Sequence, residues 1–360
     1  MAAPGGSAET QRLHSIGLIE KDVNGETLWV WSYPSITPEL RELMLRKCRL
    51  QEEKPPPLYN LLYGQYRKLW FYMVLTAVEG ASVLEKVTHF CVVLLAKEFN
   101  PEKYSALSRV LSRIYLKSGS PVAMMERYLS VLTRGGCQSE ENGTFLWRDY
   151  PQREAYLSAA VKDVILRFGM EAVILYTALM LKRKVAVYHP RPDAVQEFTR
   201  ALPALVWHRQ DWSILHPYVH LSSDETDALK TGTAGFVAGF HDPDVGNRPD
   251  LYDVFVNLAE NSITVSPSAK EAMTLGKLHK EIGQLMLQAA EDPEKSDSQV
   301  IKDICVKTRD IIAVLSSCAE ENGGSERPTI TLQRLKQQKF PPATENFLIH
   351  LAAAENFLLT

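Results

Sequence analysis

The chain has 360 residues, of which 45% are hydrophobic and 23% are charged. This length suggests about two or three packing units, and the apolar content excludes wholesale disorder. Its 40 basic and 43 acidic residues leave a net charge of −3, which argues against a dedicated nucleic-acid-binding protein. No apolar run approaches the roughly 20 residues that cross a bilayer. We therefore expect a soluble, cytoplasmic protein whose membrane association is peripheral and depends on partners.

The cysteines form an odd, scattered set without a C-x-x-C pair: Cys48, Cys91, Cys137, Cys305 and Cys318. An oxidising compartment usually leaves an even, regularly spaced framework. The pattern therefore predicts reduced thiols.

The N-terminal region begins with a predicted tail and a predicted hairpin. Residues 1–15 are small and polar, and we expect them to be disordered. Asn24-Gly25 is the strongest short hairpin signal, because both residue types tolerate a positive φ. It separates the strand-like runs Ile16–Lys21 and Thr27–Tyr33.

The second strand of this hairpin is apolar on both sides. Alternation places Leu28 and Val30 on one face and Trp29 and Trp31 on the other. We therefore expect both faces to be covered, and the two tryptophans make one candidate surface for a partner.

Further strands and helices follow before residue 134. Asn100-Pro101 and Ser120-Pro121 give clear helix starts, because a capping side chain precedes a proline at the first helical position. The predicted order is β-β-α-β-β-β-α-α, which makes residues 16–133 one α/β module. After the hairpin its elements are Pro38–Cys48, Leu61–Tyr66, Leu69–Ala77, Val87–Ala96 and the helices that start at Pro101 and Pro121.

The central region, residues 154–265, follows a predicted linker at residues 134–153, which are rich in glycine and polar side chains. Strand-like runs at Val185–His189, Gly235–Phe240 and Leu251–Leu258 alternate with helical periodicity. This alternation favours a parallel or mixed sheet covered on both sides.

The C-terminal region, residues 266–360, is predicted to be helical. Ser266-Pro267 gives one start signal, and a second helix begins at about Ser298. Glu320–Pro328 is predicted to be a mobile loop, and Thr344–Leu359 a closing helix.

We find no motif that indicates catalysis or cofactor binding. The sequence has no P-loop, no G-x-S-x-G turn and no cysteine in an active-site context. His216-x-x-x-His220 is the best candidate metal pair, but Pro217 disfavours the helix that would align both imidazoles. Polar histidines in a loop are the simpler interpretation. We therefore predict no catalytic residue, no metal site and no cofactor.

An irregular aromatic segment, Leu202–Tyr218, is the most unusual part of the chain. Under the simplest interpretation Trp207 and Trp212 fill the core, since large aromatic side chains are mostly buried. The charged residues between them would then be held rigidly at the surface, so that docking costs little conformational entropy. The residues predicted to bind a partner are His208, Arg209, Asp211, Trp212, Trp29 and Trp31.

The runs ALMLKRKVAVYHP and AVQEFTRALPALVWHRQDWSILHPYV together resemble the central signature of the DENN domain family. AGFVAGFHDPD and LYDVFVNLAENSITV are similar to the strands that follow it in that family. GLIEKDVNGETLWVWSYPS looks like the upstream module, which has a longin fold. The resemblance spans about Ile16 to Leu359 and implies a longin-like N-terminal module, a central α/β DENN module and a helical C-terminal portion.

DENN proteins act as guanine-nucleotide exchange factors for Rab GTPases, and the resemblance implies the same role here. It also implies a cytoplasmic, peripheral location on endosomes, late endosomes above all. The alternative is a non-catalytic trafficking scaffold or adaptor that binds a Rab, or an endosomal coat or sorting complex, without accelerating exchange. The absence of catalytic motifs agrees with both interpretations, because an exchange factor needs no acid, base or metal of its own.

Overall fold

The computed structural model describes residues 12–52, 58–80, 83–139, 143–232, 235–319 and 329–358. The fold is mixed α/β, as predicted, and divides into two compact units, Met1–Ala155 and Tyr156–Thr360. No helix of the described ranges is long and apolar enough to cross a membrane.

The first unit is built on an antiparallel sheet. Its described strands lie in the order β2-β1-β5-β4-β3. The elements are β1 (Leu13–Asp22), β2 (Thr27–Tyr33), α1 (Pro38–Lys47), β3 (Leu62–Tyr66), β4 (Leu69–Ala77), β5 (Val87–Ala96), α2 (Pro101–Ser118) and α3 (Pro121–Arg134). The predicted order of strands and helices is therefore correct from β1 to α3.

Strand β1 begins earlier than expected, so residues 13–15 do not belong to a tail. Leu13 is buried and pairs with Ala96 of β5, which extends the sheet into this segment. The rest of the predicted tail, apart from Arg12, lies outside the described residues.

Helices cover both faces of this sheet. Phe90 contacts Tyr115 of α2, whereas Phe71, on the opposite face, lies under the Lys47 ammonium of α1. The predicted caps are confirmed, since Asn100 Oδ1 accepts the N–H of Lys103 at 3.1 Å and Ser120 Oγ that of Ala123 at 3.3 Å. The sheet thus lies between α1 and the α2–α3 pair.

The segment predicted as a linker contains ordered structure that packs on α2. Strands β6 (Gly136–Ser139) and β7 (Gly143–Leu146) form a hairpin, and helix α4 (Gln152–Leu157) follows. Trp147 is buried, with the Lys103 ammonium 4.1 Å from its ring centre. Of the glycines that suggested a linker, Gly136 allows a close approach of the two strands, since a Cβ there would lie 2.6 Å from the Phe145 carbonyl oxygen.

The second unit contains a mixed sheet in the order β12-β11-β8-β10-β9, parallel except for β12. This confirms the predicted sheet type. The strands are β8 (Val185–Tyr188), β9 (Leu215–Val219), β10 (Val237–Phe240), β11 (Val254–Asn257) and β12 (Ser262–Val265). The helices are α5 (Val161–Phe168), α6 (Ala172–Met180), α7 (Pro192–Ala201), α8 (Ser223–Gly232), α9 (Lys277–Glu291), α10 (Asp297–Ser317), α11 (Leu332–Gln337) and α12 (Pro342–Ala354).

Two expectations for this unit are wrong. The helix predicted to start at Ser266-Pro267 starts instead at Lys277, because the Ser266 hydroxyl bonds the hydroxyl of Ser268 in a turn and caps no helical N–H. The aromatic segment is not irregular throughout, since its end forms β9. That strand lies at the sheet edge, where Pro217 costs no interstrand hydrogen bond. The predicted loop at 320–328 lies outside the described residues.

Candidate functional site

The tryptophans of the aromatic segment are buried, as the simplest interpretation predicted. Trp212 stacks on Tyr156 with ring centres 4.1 Å apart and planes 4° from parallel. Trp207 meets Trp212 edge-on at 5.9 Å. The indole N–H of Trp212 donates to the Arg200 carbonyl at 3.3 Å, so this polar atom is satisfied inside the unit. The segment between the tryptophans is therefore anchored at both ends.

Arg209 points inward from this segment and caps the C-terminal end of helix α6. Its Nη1 donates to the Leu179 carbonyl at 2.6 Å, and its Nη2 to the Met180 carbonyl at 2.7 Å. These carbonyls lie in the last turn of α6, where backbone acceptors lack helical donors and a cation favours the helix dipole. The Arg209 side chain retains only 16% of its exposure.

Glu355, directly after α12, completes a cluster with Arg209 and His208. Its Oε1 accepts a hydrogen bond from Arg209 Nε at 3.0 Å and a further short one from Arg209 Nη2. The same oxygen lies 3.3 Å from His208 Nε2. Burial alone would raise the pKa of Glu355, but the His208 hydrogen bond and the Arg209 charge outweigh it and lower the pKa to about 2. The cluster joins the C-terminal helix to the aromatic segment.

The expectation that the whole charged centre faces a partner needs correction. Arg209 and His208 are occupied by Glu355, and Trp212 is in the core. Asp211 is exposed, and among the described residues its carboxylate accepts hydrogen bonds from the N–H and the hydroxyl of its near neighbour Ser213, at 2.8 and 2.6 Å. Within the segment, Asp211 is therefore the predicted contact that remains available to a partner.

The β1–β2 hairpin contains an irregularity that alternation could not predict. Leu18 pairs with Trp31 and Ile19 pairs with Trp29, so Val30 is an extra, unpaired residue. This β-bulge places Trp29 and Trp31 on opposite faces of the sheet, which overturns the expected shared face.

Contacts on the two sides of β2 agree with this register. The ring of Trp29 lies over Gly17, where a Cβ would come within 2.6 Å of it. On the other face Tyr33 contacts Tyr128 of α3 edge-on, with ring centres 6.5 Å apart. Both tryptophans are half-buried.

The expectation that both faces of β2 are covered is also wrong. Leu28 is 56% exposed and Val30 is 41% exposed, and both lie on the strand at the edge of the sheet. These two side chains are exposed because no described element lies beyond β2.

The metal-ligating and nucleophilic side chains of the described residues do not form a second candidate site. Within the ranges the structure describes, no three His, Cys, Asp or Glu side chains are placed to hold a metal ion. All five cysteines are free and buried, which agrees with reduced thiols. Burial raises the pKa of Cys48 to about 11, so its thiol stays protonated at neutral pH and is a poor nucleophile.

Comparison with known proteins covers almost the entire chain. Human DENN domain-containing protein 10 is 61% identical over 98% of this chain and 98% of its own length. The relatives of the same name from Danio rerio and Dictyostelium discoideum are 59% and 32% identical over 98% and 95% of this chain, and 99% and 96% of their own lengths. The chain belongs to the DENN domain-containing protein 10 family. This agrees with the resemblance seen in its sequence.

A family model described as "SPA: Stabilization of polarity axis" matches residues 158–267. This range contains the mixed sheet and the aromatic segment with Arg209 and Asp211. It excludes Glu355, whose carboxylate reaches the segment from the C-terminal helical region.

Proposed function

We propose that the chain is a guanine-nucleotide exchange factor for a Rab GTPase in endosomal or secretory traffic. The observation that carries the proposal is membership of the DENN domain-containing protein 10 family along nearly the whole length. We further propose that the first unit is a longin-like module, which its antiparallel sheet between helices supports. The location we propose is peripheral on endosomes, through partners.

Exchange would work by selective binding. A surface that binds the nucleotide-free GTPase more tightly than the GDP-bound form lowers the barrier to GDP release. Such a surface must be presented rigidly, because ordering a loop on binding subtracts from affinity. The aromatic segment meets this need, since buried Trp207 and Trp212 flank exposed Asp211.

The test is GDP release from a panel of purified Rabs loaded with a fluorescent GDP analogue. We expect at least one Rab to release nucleotide faster with the chain than without it. Asp211→Lys should reduce that acceleration, whereas Asp310→Lys, at an exposed position on α10, should not. No acceleration for any Rab would contradict the proposal.

The alternative is an adaptor that binds a Rab or an endosomal coat or sorting complex without catalysing exchange. The uncovered apolar strand β2 favours it, because such surfaces commonly mark protein interaction sites. A Rab that binds the chain with equal affinity in its GDP-bound and nucleotide-free states, with an unchanged release rate, would identify an adaptor.

A further inference from the structure

Strand β2 is a sheet edge that neither charge nor proline protects. It pairs with β1 on one side, and within the described residues nothing pairs with the other. Its sequence, TLWVWSY, has no charged residue and no proline. Natural edge strands are commonly shortened, charged, bulged or interrupted by proline to prevent strand addition, and on β2 the bulge at Val30 is the device present.

The other described edges of the two large sheets do carry such protection. Strand β9 contains Pro217, β12 has four residues, and β3 has five residues and ends at the basic turn Arg67-Lys68. Strand β2 has seven residues. Among these four edge strands, β2 is therefore the longest that has neither charge nor proline, which suggests that its edge is retained for binding.

The side chains around β2 point to an apolar partner. Val23 is 61% exposed and Tyr33 is 44% exposed, in addition to Leu28 and Val30 on the strand itself. These residues lie within one short hairpin, so together with the edge they make an apolar strip.

Polar atoms on β2 are also left unsatisfied. Thr27 Oγ1, Trp29 Nε1 and Trp31 Nε1 are buried and have no hydrogen-bond partner among the described residues. Buried polar groups without partners are uncommon because each one costs free energy. Their concentration on one edge strand indicates that the described residues do not complete the packing of this segment.

A second copy of β2 fits this edge poorly. Two-fold antiparallel pairing sets residues on the same face opposite one another. The bulge places Trp29 and Trp31 on opposite faces, so a pair centred on Val30 would mismatch them. Self-pairing is thereby restricted to the few residues at either end of the strand.

We propose that β2 binds an extended segment of a partner protein, which adds to the sheet as a further strand. Backbone hydrogen bonds would give affinity, and alternating apolar side chains would contact Leu28 and Val30. Glu26 is exposed at the turn, whereas the carboxylate of Asp22 there already accepts the N–H groups of Asn24 and Glu26. The partner segment therefore carries a basic residue at the end that lies beside Glu26.

The experiment uses a displayed library of random twelve-residue peptides, selected on the full chain. Selected peptides should alternate apolar residues, lack proline and carry Lys or Arg at one end. The Leu28→Lys/Val30→Lys variant should weaken their binding at least tenfold. The matched control is Val122→Lys/Val306→Lys, at positions 60% and 58% exposed, and should bind as the unmodified chain does.

Amide hydrogen exchange locates the bound peptide. The peptide should slow exchange at residues 27–33 in the unmodified chain and not in the Leu28→Lys/Val30→Lys variant. Equal binding by the two chains, or protection elsewhere, would overturn the proposal. A dimer at micromolar concentration that this variant abolishes would also overturn it, because the occupant would then be a second copy. Since both positions are exposed, the variant should melt within about 2 °C of the unmodified chain, which confirms that it is folded.

Discussion

Replacing Arg209 tests whether this residue is an internal structural partner. Arg209→Ala removes the cation from the carboxylate of Glu355, and the donors from the carbonyls of Leu179 and Met180. Breaking a buried ion pair by removing one partner costs about 3–5 kcal/mol. Because Arg209 and Glu355 are each 16% exposed, we expect the lower end, about 3 kcal/mol. For a unit of this size that corresponds to a melting temperature lower by roughly 6–12 °C.

Urea unfolding, followed by amide exchange in the second unit, measures this change. Asp211→Ala is the matched control, two residues away on the surface, and should cost less than about 1 kcal/mol. A double-mutant cycle with Glu355→Gln should give a coupling energy of about 1–3 kcal/mol. If the free energy of unfolding of Arg209→Ala lies within 1 kcal/mol of that of the unmodified chain, Arg209 is not an internal structural partner.

The pH dependence of stability, measured for Glu355→Gln, gives an independent check of the pair. The pKa of Glu355 is lower in the folded chain, so the pair stabilises above pH 4.5 and is lost as the pH falls toward about 2. The difference in the free energy of unfolding between the unmodified chain and Glu355→Gln should shrink as the pH falls through that window. A difference that stays constant would show that the carboxylate charge does not contribute.

Three other changes test further parts of the fold. Burial lowers the pKa of His279 to about 4, so acidification from pH 6.5 to 5 should destabilise the chain by about 1–2 kcal/mol, as measured by denaturant midpoints; His279→Leu should remove this dependence. Gly239→Ala would place a Cβ 2.6 Å from the Pro217 carbonyl oxygen and should cost about 1–3 kcal/mol by thermal unfolding. Gly232→Ala, whose Cβ would meet no atom of the described residues within 4 Å, should be neutral. Glu98→Gln removes the carboxylate 2.8 Å from the buried Lys103 ammonium and should cost about 3–5 kcal/mol in urea unfolding; full stability would contradict this ion pair.

Features that depend on local chemistry were predictable from the sequence. The helix that follows Asn100 has its cap, its proline and its apolar face within one short stretch, and the structure has all of them. The hairpin at Asn24-Gly25 depends in the same way on residues that tolerate a positive φ; in the structure Gly25 has a φ of 88°.

Features that depend on distant residues were not predictable. Arg209 and Asp211 are equally polar in sequence, but Arg209 turns inward because Glu355 lies 146 positions further along the chain. The alternation of β2 gave the wrong faces for Trp29 and Trp31, because a bulge is set by pairing with β1 and leaves no mark in the strand's own sequence. In both cases a tertiary contact decides the direction of a side chain.

The kinetics of GDP release measure nucleotide exchange on a Rab without any intermediate readout. A Rab loaded with a fluorescent GDP analogue is mixed with excess GTP and increasing concentrations of the full chain. If the chain is an exchange factor, the release rate constant rises with chain concentration and saturates, because release occurs from a complex of the two proteins. A rate constant that stays at its intrinsic value for every Rab, even where binding is detected, would contradict exchange activity and identify an adaptor.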